Sequence, residues 1–153
     1  MADRPRLGID WGKARIGVSA ANAGTSFAYP VETVAAGPAE LRRLAELVEE
    51  YGADVVYVGL PLTLAGERSF AAQFVEEKAA ALVAAIDPVE VRLVDERLST
   101  ASASRSLGSA GRRAKQQRKV IDQAAAVEIL QRALDGEQRE GAPVGLPVNK
   151  EDT

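Results

Sequence analysis

Leu7-Gly-Ile-Asp-Trp-Gly-Lys-Ala-Arg-Ile-Gly-Val-Ser-Ala20 holds two short apolar runs on either side of Gly12-Lys-Ala. Runs of strand length around a glycine-led break predict a β-hairpin. Downstream, Thr25 to Val34 carries Phe27, Tyr29, Val31 and Val34, which suits a third antiparallel strand. Pro38 then opens a helix in which Leu41, Leu44, Ala45 and Val48 recur at helical spacing, and Gly52 ends it. Asp54-Val-Val-Tyr-Val-Gly59 is almost continuously apolar, as a parallel strand buried on both faces should be. Leu60 to Gly66 reads as a loop. A long helix follows from about Arg68 to Ile86, with Val75, Ala79, Leu82 and Ile86 as its stripe, and Asp87-Pro88 stops it. Val89 to Val94 is the next strand, Leu98 to Leu107 a helix, and roughly Lys119 to Leu134 the last helix. Three antiparallel strands, then parallel strands, with helices on both faces, predict an α/β domain built on a mixed five-stranded sheet over residues 1–135. Residues 136–153, with Gly141-Ala-Pro-Val-Gly-Leu-Pro147, are expected to be a disordered tail.

The chain has 153 residues, 46% hydrophobic and 27% charged, in line with one globular domain. No apolar run reaches the roughly 20 residues of a membrane helix, so no membrane role is expected. Met-Ala-Asp-Arg-Pro-Arg6 leads into a strand without a signal-peptide core, and a cytoplasmic location is expected. Cysteine and histidine are both absent. Disulfides, zinc-thiolate sites, thiol nucleophiles, Ser-His-Asp triads and imidazole ligands are thereby excluded. Hydrolytic chemistry must rest on carboxylates, Lys, Tyr, Ser or Thr, or a bound metal. Net charge is −3, but its distribution is uneven. Between Leu98 and Ile121 stand Arg105, Arg112, Arg113, Lys115, Arg118 and Lys119 with no acidic residue. Glu40 to Asp54 is an acidic stretch.

Three carboxylates stand where chemistry is possible. Asp10 ends the first strand, Glu96 follows a later one in Asp95-Glu-Arg97, and Asp122 lies near the start of the last helix. Carboxylates at the ends of neighbouring buried strands, joined by one from a packing helix, can converge on a divalent metal. Each has a plainer reading. Asp10 serves equally as a hairpin turn residue. Asp95-Glu-Arg97 serves as a solvated charge cluster, with Ser99 or Thr100 capping the next helix. Asp122 serves as a first-turn residue favoured by the helix dipole. Yet Asp122 shares a face with Ala125, Ala126, Ile129 and Ala133, and a carboxylate on a buried face requires a partner or a metal. The basic segment up to Lys119, expected to be a loop, reads either as a solvated run or as a contact for a polyanion. No G-x-x-x-x-G-K-[S/T] occurs, and the chain is too short for a two-lobed actin-like ATPase.

Ile9-Asp-Trp-Gly-Lys-Ala-Arg-Ile-Gly-Val18, Val58-Gly-Leu-Pro-Leu62, Asp95-Glu-Arg-Leu-Ser-Thr100 and Asp122-Gln-Ala-Ala-Ala-Val-Glu-Ile-Leu-Gln131 follow one another in an order and spacing that resembles the YqgF-type pre-16S rRNA nucleases, also described as Holliday junction resolvases. The likeness runs from about Arg6 to Leu134. It implies a ribonuclease H-like fold, a cytoplasmic role in maturing the 5′ end of 16S rRNA, and Asp10, Glu96 and Asp122 at the acidic catalytic positions. Many members have an Asp- or Asn-containing turn after Gly-Leu-Pro-Leu, where this chain has Thr63-Leu-Ala-Gly66.

The resulting expectation is metal-dependent phosphodiester hydrolysis, with Asp10, Glu96 and Asp122 holding Mg²⁺ or Mn²⁺. Lys13, Arg15 and Arg97 are the candidate phosphate contacts near the site. Arg112, Arg113, Lys115, Arg118 and Lys119 are the candidates for more distant backbone. Trp11 and Tyr57 are candidates for base stacking or for packing, and Asp95 is expected to be structural. The partner is nucleic acid, either a 16S rRNA precursor or branched DNA, met by a monomer or weak homodimer. The alternatives are a junction resolvase, a non-catalytic RNA-binding assembly factor and, more distantly, a nucleotide-binding module.

Overall fold

The computed structural model describes residues 4–62, 65, 67, 69–96 and 114–148, with side chains from residue 123 onward in the last stretch. Strands β1 (Arg6–Trp11) and β2 (Arg15–Ala21) form the hairpin, and β3 (Tyr29–Ala35) adds to β2 antiparallel. The hairpin turn closes through Gly12 N–H to Arg15 O at 3.0 Å. Helix α1 (Glu40–Tyr51) leads to β4 (Val55–Leu60), which lies parallel to β1. Helix α2 (Phe70–Ile86) is capped by Ser69, whose hydroxyl accepts the Ala72 N–H. It returns the chain to β5 (Glu90–Asp95), parallel to β4. Helix α3 (Ala114–Glu140) and the short β6 (Leu146–Pro147) complete the order. The sheet runs β3-β2-β1-β4-β5-β6.

Strand alternation divides the core in two. Leu7, Ile9 and Trp11 of β1, Ile16 and Val18 of β2, and Val56, Val58 and Leu60 of β4 pack with Leu44, Leu47 and Val48 of α1 and with Val75, Ala79 and Leu82 of α2. On the opposite face Ala21, Val55 and Tyr57 meet Leu130, Ala133 and Leu134 of α3. That face has room for α3 because Gly8 has no side chain. A Cβ there would stand 2.6 Å from Leu130 Cβ and 3.0 Å from Ala126 O.

Arg6 at the start of β1 is buried and pairs with buried Glu137 near the end of α3, Nη1 to Oε1 at 2.7 Å. Its other terminal nitrogen donates to Thr25 O at 2.6 Å. The Tyr57 hydroxyl donates to Glu137 Oε2 at 2.5 Å. Burial and the adjacent Glu137 carboxylate together raise the Tyr57 phenol above its ordinary range.

The structure departs from the sequence reading at three places. Among the described residues the sheet has six strands, not five, because Leu146–Pro147 pairs antiparallel with Arg92 and Leu93 of β5. The tail expected to be disordered from residue 136 is in part ordered: Arg92 donates to Val144 O and Gly145 O, and Val148 N–H donates to Val91 O. Pro147 suits this place, since an edge strand tolerates a residue without an N–H. Helix α3 is also longer than its apolar pattern. It begins inside the basic segment expected to be a loop, where Ala114-Lys-Gln-Gln-Arg-Lys119 are strong helix formers whatever their polarity. At its other end Gly136 is a packing glycine, against Val144, and the left-handed residue that ends the helix is Gly141 (φ 72°). Leu98 to Leu107, read as a helix, lies outside the described residues.

Two outcomes follow for the buried network. Glu137→Ala leaves Arg6 buried without its carboxylate, and urea denaturation should show a loss of about 3–5 kcal/mol. The folded state holds the Tyr57 proton above pH 10, where the unfolded chain releases it. Stability should therefore fall as pH rises past about 10, and Tyr57→Phe should remove that part of the slope.

Candidate active site

The C-terminal ends of the three parallel strands lie side by side at one edge of the sheet, with β4 between β1 and β5. Ile9 is level with Val58, and Leu60 with Asp95. Asp10 and Glu96 thus flank the end of β4. Glu96 N–H donates to Leu60 O at 3.2 Å, which extends the parallel ladder by one residue. Both carboxylates are buried, Asp10 at 4% and Glu96 at 5% exposure. They line one pocket of about 190 Å³ with Trp11, Gly12, Lys13, Gly59, Pro61, Ala71, Phe74 and Val75.

Gly59 makes the space for this arrangement. A Cβ at that position would stand 2.6 Å from Glu96 Oε2 and 2.5 Å from Ile129 Cδ1 of α3. The glycine lets the carboxylate and the helix close over the strand end together. Sequence reasoning placed Gly59 only at the end of a strand. The run Val58-Gly-Leu-Pro-Leu62, with a glycine just before the last strand residue and a proline just after it, is the signal that pointed there.

Helix α3 carries position 122. It crosses β1 in the opposite sense, since Glu137 meets Arg6 and Leu130 lies over Gly8. Ala126 O accepts from Ser19 Oγ at 2.7 Å, and Ser19 is the cross-strand partner of Gly8. From Ala126 back to position 122 is one helical turn, about 6 Å. From Gly8 to Asp10 along the strand is about 6.8 Å. Position 122 is therefore level with Asp10. Gln123 confirms the level by donating to Thr33 Oγ1 at 2.9 Å, because Thr33, Gly17 and Asp10 share one cross-strand row. Ala125, Ala126, Ile129 and Ala133 are all buried on this helix. The Asp122 side chain lies outside those described.

Lys13 is exposed and lines the same pocket. Arg15 opens β2 beside the hairpin turn, next to the pocket rather than in its lining. Arg97, Arg112 and Arg113 lie outside the described residues, and Lys115, Arg118 and Lys119 are described only as turns of α3. Tyr57 is fully buried and committed to Glu137, so it is a core residue and not a base-stacking one. Trp11 is buried on the α1–α2 side, and its ring forms part of the pocket wall. Asp95 lines a different hollow with Arg132, Asp135 and Arg139.

The donors in the pocket are carboxylate oxygens, in a chain without histidine or cysteine. Such a donor set fits a hard divalent cation and does not fit a thiolate or imidazole metal. Among the described residues no group of three potential ligand side chains gathers, and Asp10 with Glu96 is the pair they supply.

Comparison with known proteins agrees with this architecture. The model of the RuvX family, described as Holliday junction resolvase, matches residues 4–136. A protein of Cutibacterium acnes named "Putative pre-16S rRNA nuclease" is 52% identical over 130 residues, covering 85% of this chain and 81% of its own. Proteins of the same name from Rhodococcus opacus and Mycobacterium tuberculosis are 47% and 54% identical, over 93% and 85% of this chain. The structure of T. thermophilus RuvC in complex with a Holliday junction substrate superposes with a TM-score of 0.57 at 19% identity, covering 92% of this chain and 99% of that one. At that identity the likeness is one of fold, and the fold is the ribonuclease H-like one that the motifs implied. With a family model spanning most of its length and relatives near half identical, this chain belongs to the RuvX family.

Proposed function

We propose that this protein is a metal-dependent phosphodiester hydrolase that acts on structured RNA and trims the 5′ end of pre-16S rRNA. The observation that carries the reading is the pair of buried carboxylates, Asp10 and Glu96, in one pocket at the ends of parallel strands. The names of the close relatives supply the substrate.

Asp10, Glu96 and Asp122 would hold Mg²⁺ or Mn²⁺. When bound, such an ion lowers the pKa of water and stabilises charge on phosphate oxygens. The two described carboxylates would offer their oxygens from inside the pocket, since both are buried at the ends of strands. Lys13 at the mouth meets the incoming phosphate. Arg15 and Arg97 neutralise neighbouring phosphates. Arg112, Arg113, Lys115, Arg118 and Lys119 grip backbone further away without reading sequence. Trp11, Pro61, Phe74 and Val75 give the pocket an apolar wall that limits water. In the net reaction water oxygen bonds to phosphorus, one P–O ester bond breaks, and the leaving oxygen takes a proton.

A second reading is favoured by the family's own description: cleavage of a four-way DNA junction. The two are separated by offering a pre-16S rRNA fragment and a four-way junction in parallel, with Mg²⁺ or Mn²⁺. Preferential cutting of the RNA supports the proposal, and preferential cutting of the junction replaces it with the second reading. RNA that is bound but never cut, with either ion, makes the protein a non-catalytic assembly factor.

Three variants sharpen the test. Asp10→Asn should lower kcat on the order of 10³-fold while RNA binding persists in a filter assay. Wild-type rates in that variant would sink the carboxylate mechanism. Gly59→Ala displaces the Glu96 carboxylate and the tip of Ile129, both flexible ends. Its kcat should fall on the order of 10²-fold with little change in Tm. Replacing Lys115, Arg118 and Lys119 together by Gln should weaken RNA binding and flatten the plot of log Kd against log salt by about 2–3.

A further inference from the structure

Three aromatic rings at or near the carboxylate pocket are already committed. Trp11 and Tyr57 are buried, and the centre of the Phe74 ring stands 5.6 Å from Lys78 Nζ. Phe70 is different: it is the first residue of α2 and is 87% exposed. A single apolar side chain in water needs no explanation of its own. The place of this one in the fold supplies a use for it.

Helix α2 joins two parallel strands, so it starts at the sheet edge where β4 ends. That is the edge where Asp10 and Glu96 meet in one pocket. Ser69 caps the first turn by accepting the Ala72 N–H, which orders the backbone at Phe70. Phe70, Ala71, Phe74 and Val75 fall on one side of the helix at 3.6 residues per turn. Val75 is buried, Phe74 half-buried and Ala71 exposed, and all three line the pocket. This apolar side climbs from the pocket to solvent, and Phe70 is its outermost step. Helical side chains lean toward the helix N-terminus, so the Phe70 ring leans toward the open edge. Lys13 lines the same pocket from the hairpin and is exposed.

A cation and a flat apolar ring at one opening match the two parts of a nucleotide, phosphate and base. A base inside a duplex has its faces covered by its neighbours, so a protein ring can stack only on a base that is splayed out. We propose that Phe70 is the platform on which an unpaired base beside the scissile phosphate stacks, which makes an unpaired segment of the RNA, not a duplex, the form the pocket admits. The proposal rests on the nuclease reading of the pocket and names the form of its substrate. Phe27, 78% exposed, supplies a control. Its loop is tied to Arg6 and Gln131, at the end of β1 away from Asp10.

The test uses the full chain, a single-stranded RNA spanning the 5′ end of 16S rRNA with its leader, and a blunt duplex of the same sequence. Cleavage is followed with Mn²⁺, and Kd is read by filter binding in the Asp10→Asn background. Phe70→Ala should lower kcat/KM and raise Kd for the single strand on the order of tenfold, with Tm and duplex binding unchanged. Phe70→Trp should keep wild-type values, and Phe70→Leu should behave as Phe70→Ala. An abasic sugar, placed in turn at each nucleotide flanking the cut, should slow wild type at one of the two positions and leave Phe70→Ala indifferent there. Wild-type values in Phe70→Ala overturn the proposal. So does full activity in Phe70→Leu, which would leave only an apolar wall, or an equal abasic penalty with and without the ring. An equal loss in Phe27→Ala overturns it too, since that ring lies away from the pocket. If wild type cuts neither RNA, the nuclease reading fails, and the Kd values of the same variants decide whether Phe70 stacks on unpaired RNA. Absence of single-strand binding in the Asp10→Asn and wild-type chains alike overturns the stacking role itself.

Discussion

The buried pair of Arg6 and Glu137, with the Tyr57 hydroxyl on the second carboxylate oxygen, sets where α3 lies along the sheet. The helix face that meets the sheet is apolar, with Ala125, Ala126 and Ala133 buried on it beside Ile129, Leu130 and Leu134. Apolar burial is non-directional and by itself names no partner for a given residue. A charge pair at 3% exposure resists a slide strongly, because a shift of one turn would leave two charges buried without partners. The pair stands at the start of β1, and Asp10 at its end. The position of the helix near Asp10 is therefore decided at the far end of the same strand.

The closeness of the layers then follows from what is missing. Gly8 admits Leu130 and the Ala126 carbonyl, and Ser19 satisfies that carbonyl with a hydroxyl. Gly59 admits Ile129 and the Glu96 carboxylate. Two glycines on neighbouring strands let α3 approach until its early turns lie over the strand ends. Parallel strands supply the rest. They end together at one edge, so residues far apart in the chain, Asp10 and Glu96, arrive in one pocket. The apolar wall of that pocket comes from the other side of the sheet, through Trp11 and α2. The site thus samples both layers, and the Glu40–Lys78 ion pair joins α1 to α2 within the second.

Much of this was legible in the sequence because it was local. The Gly12-Lys-Ala turn, the apolar run of β4 and the Val75, Ala79, Leu82 and Ile86 stripe obey the periods of strand and helix, and each forms the element it predicts. Asp10 and Glu96 were legible as carboxylates at strand ends. Glu137 was not, because Gly136 looks like a helix stop and an acidic residue beyond it looks like a solvated tail. In the fold Gly136 is instead where Val144 packs, and Glu137 continues the buried row of Leu130, Ala133 and Leu134. β6 was invisible for a similar reason: two residues have no period, and their pairing is provided by β5 and Arg92.

What the sequence by itself determined is the order of β1 to β5 with α1 and α2 among them and a last helix after them, and the restriction of chemistry to oxygen donors in a chain lacking histidine and cysteine. Those are properties of residue type and spacing, and short-range sterics and burial suffice to express them. The tertiary structure alone decided which glycines are contact points, which carboxylate serves the core and which the pocket, and at what level α3 crosses β1. These depend on groups separated by up to 131 positions in the chain, as Arg6 and Glu137 are, and no local pattern records a partner at that distance.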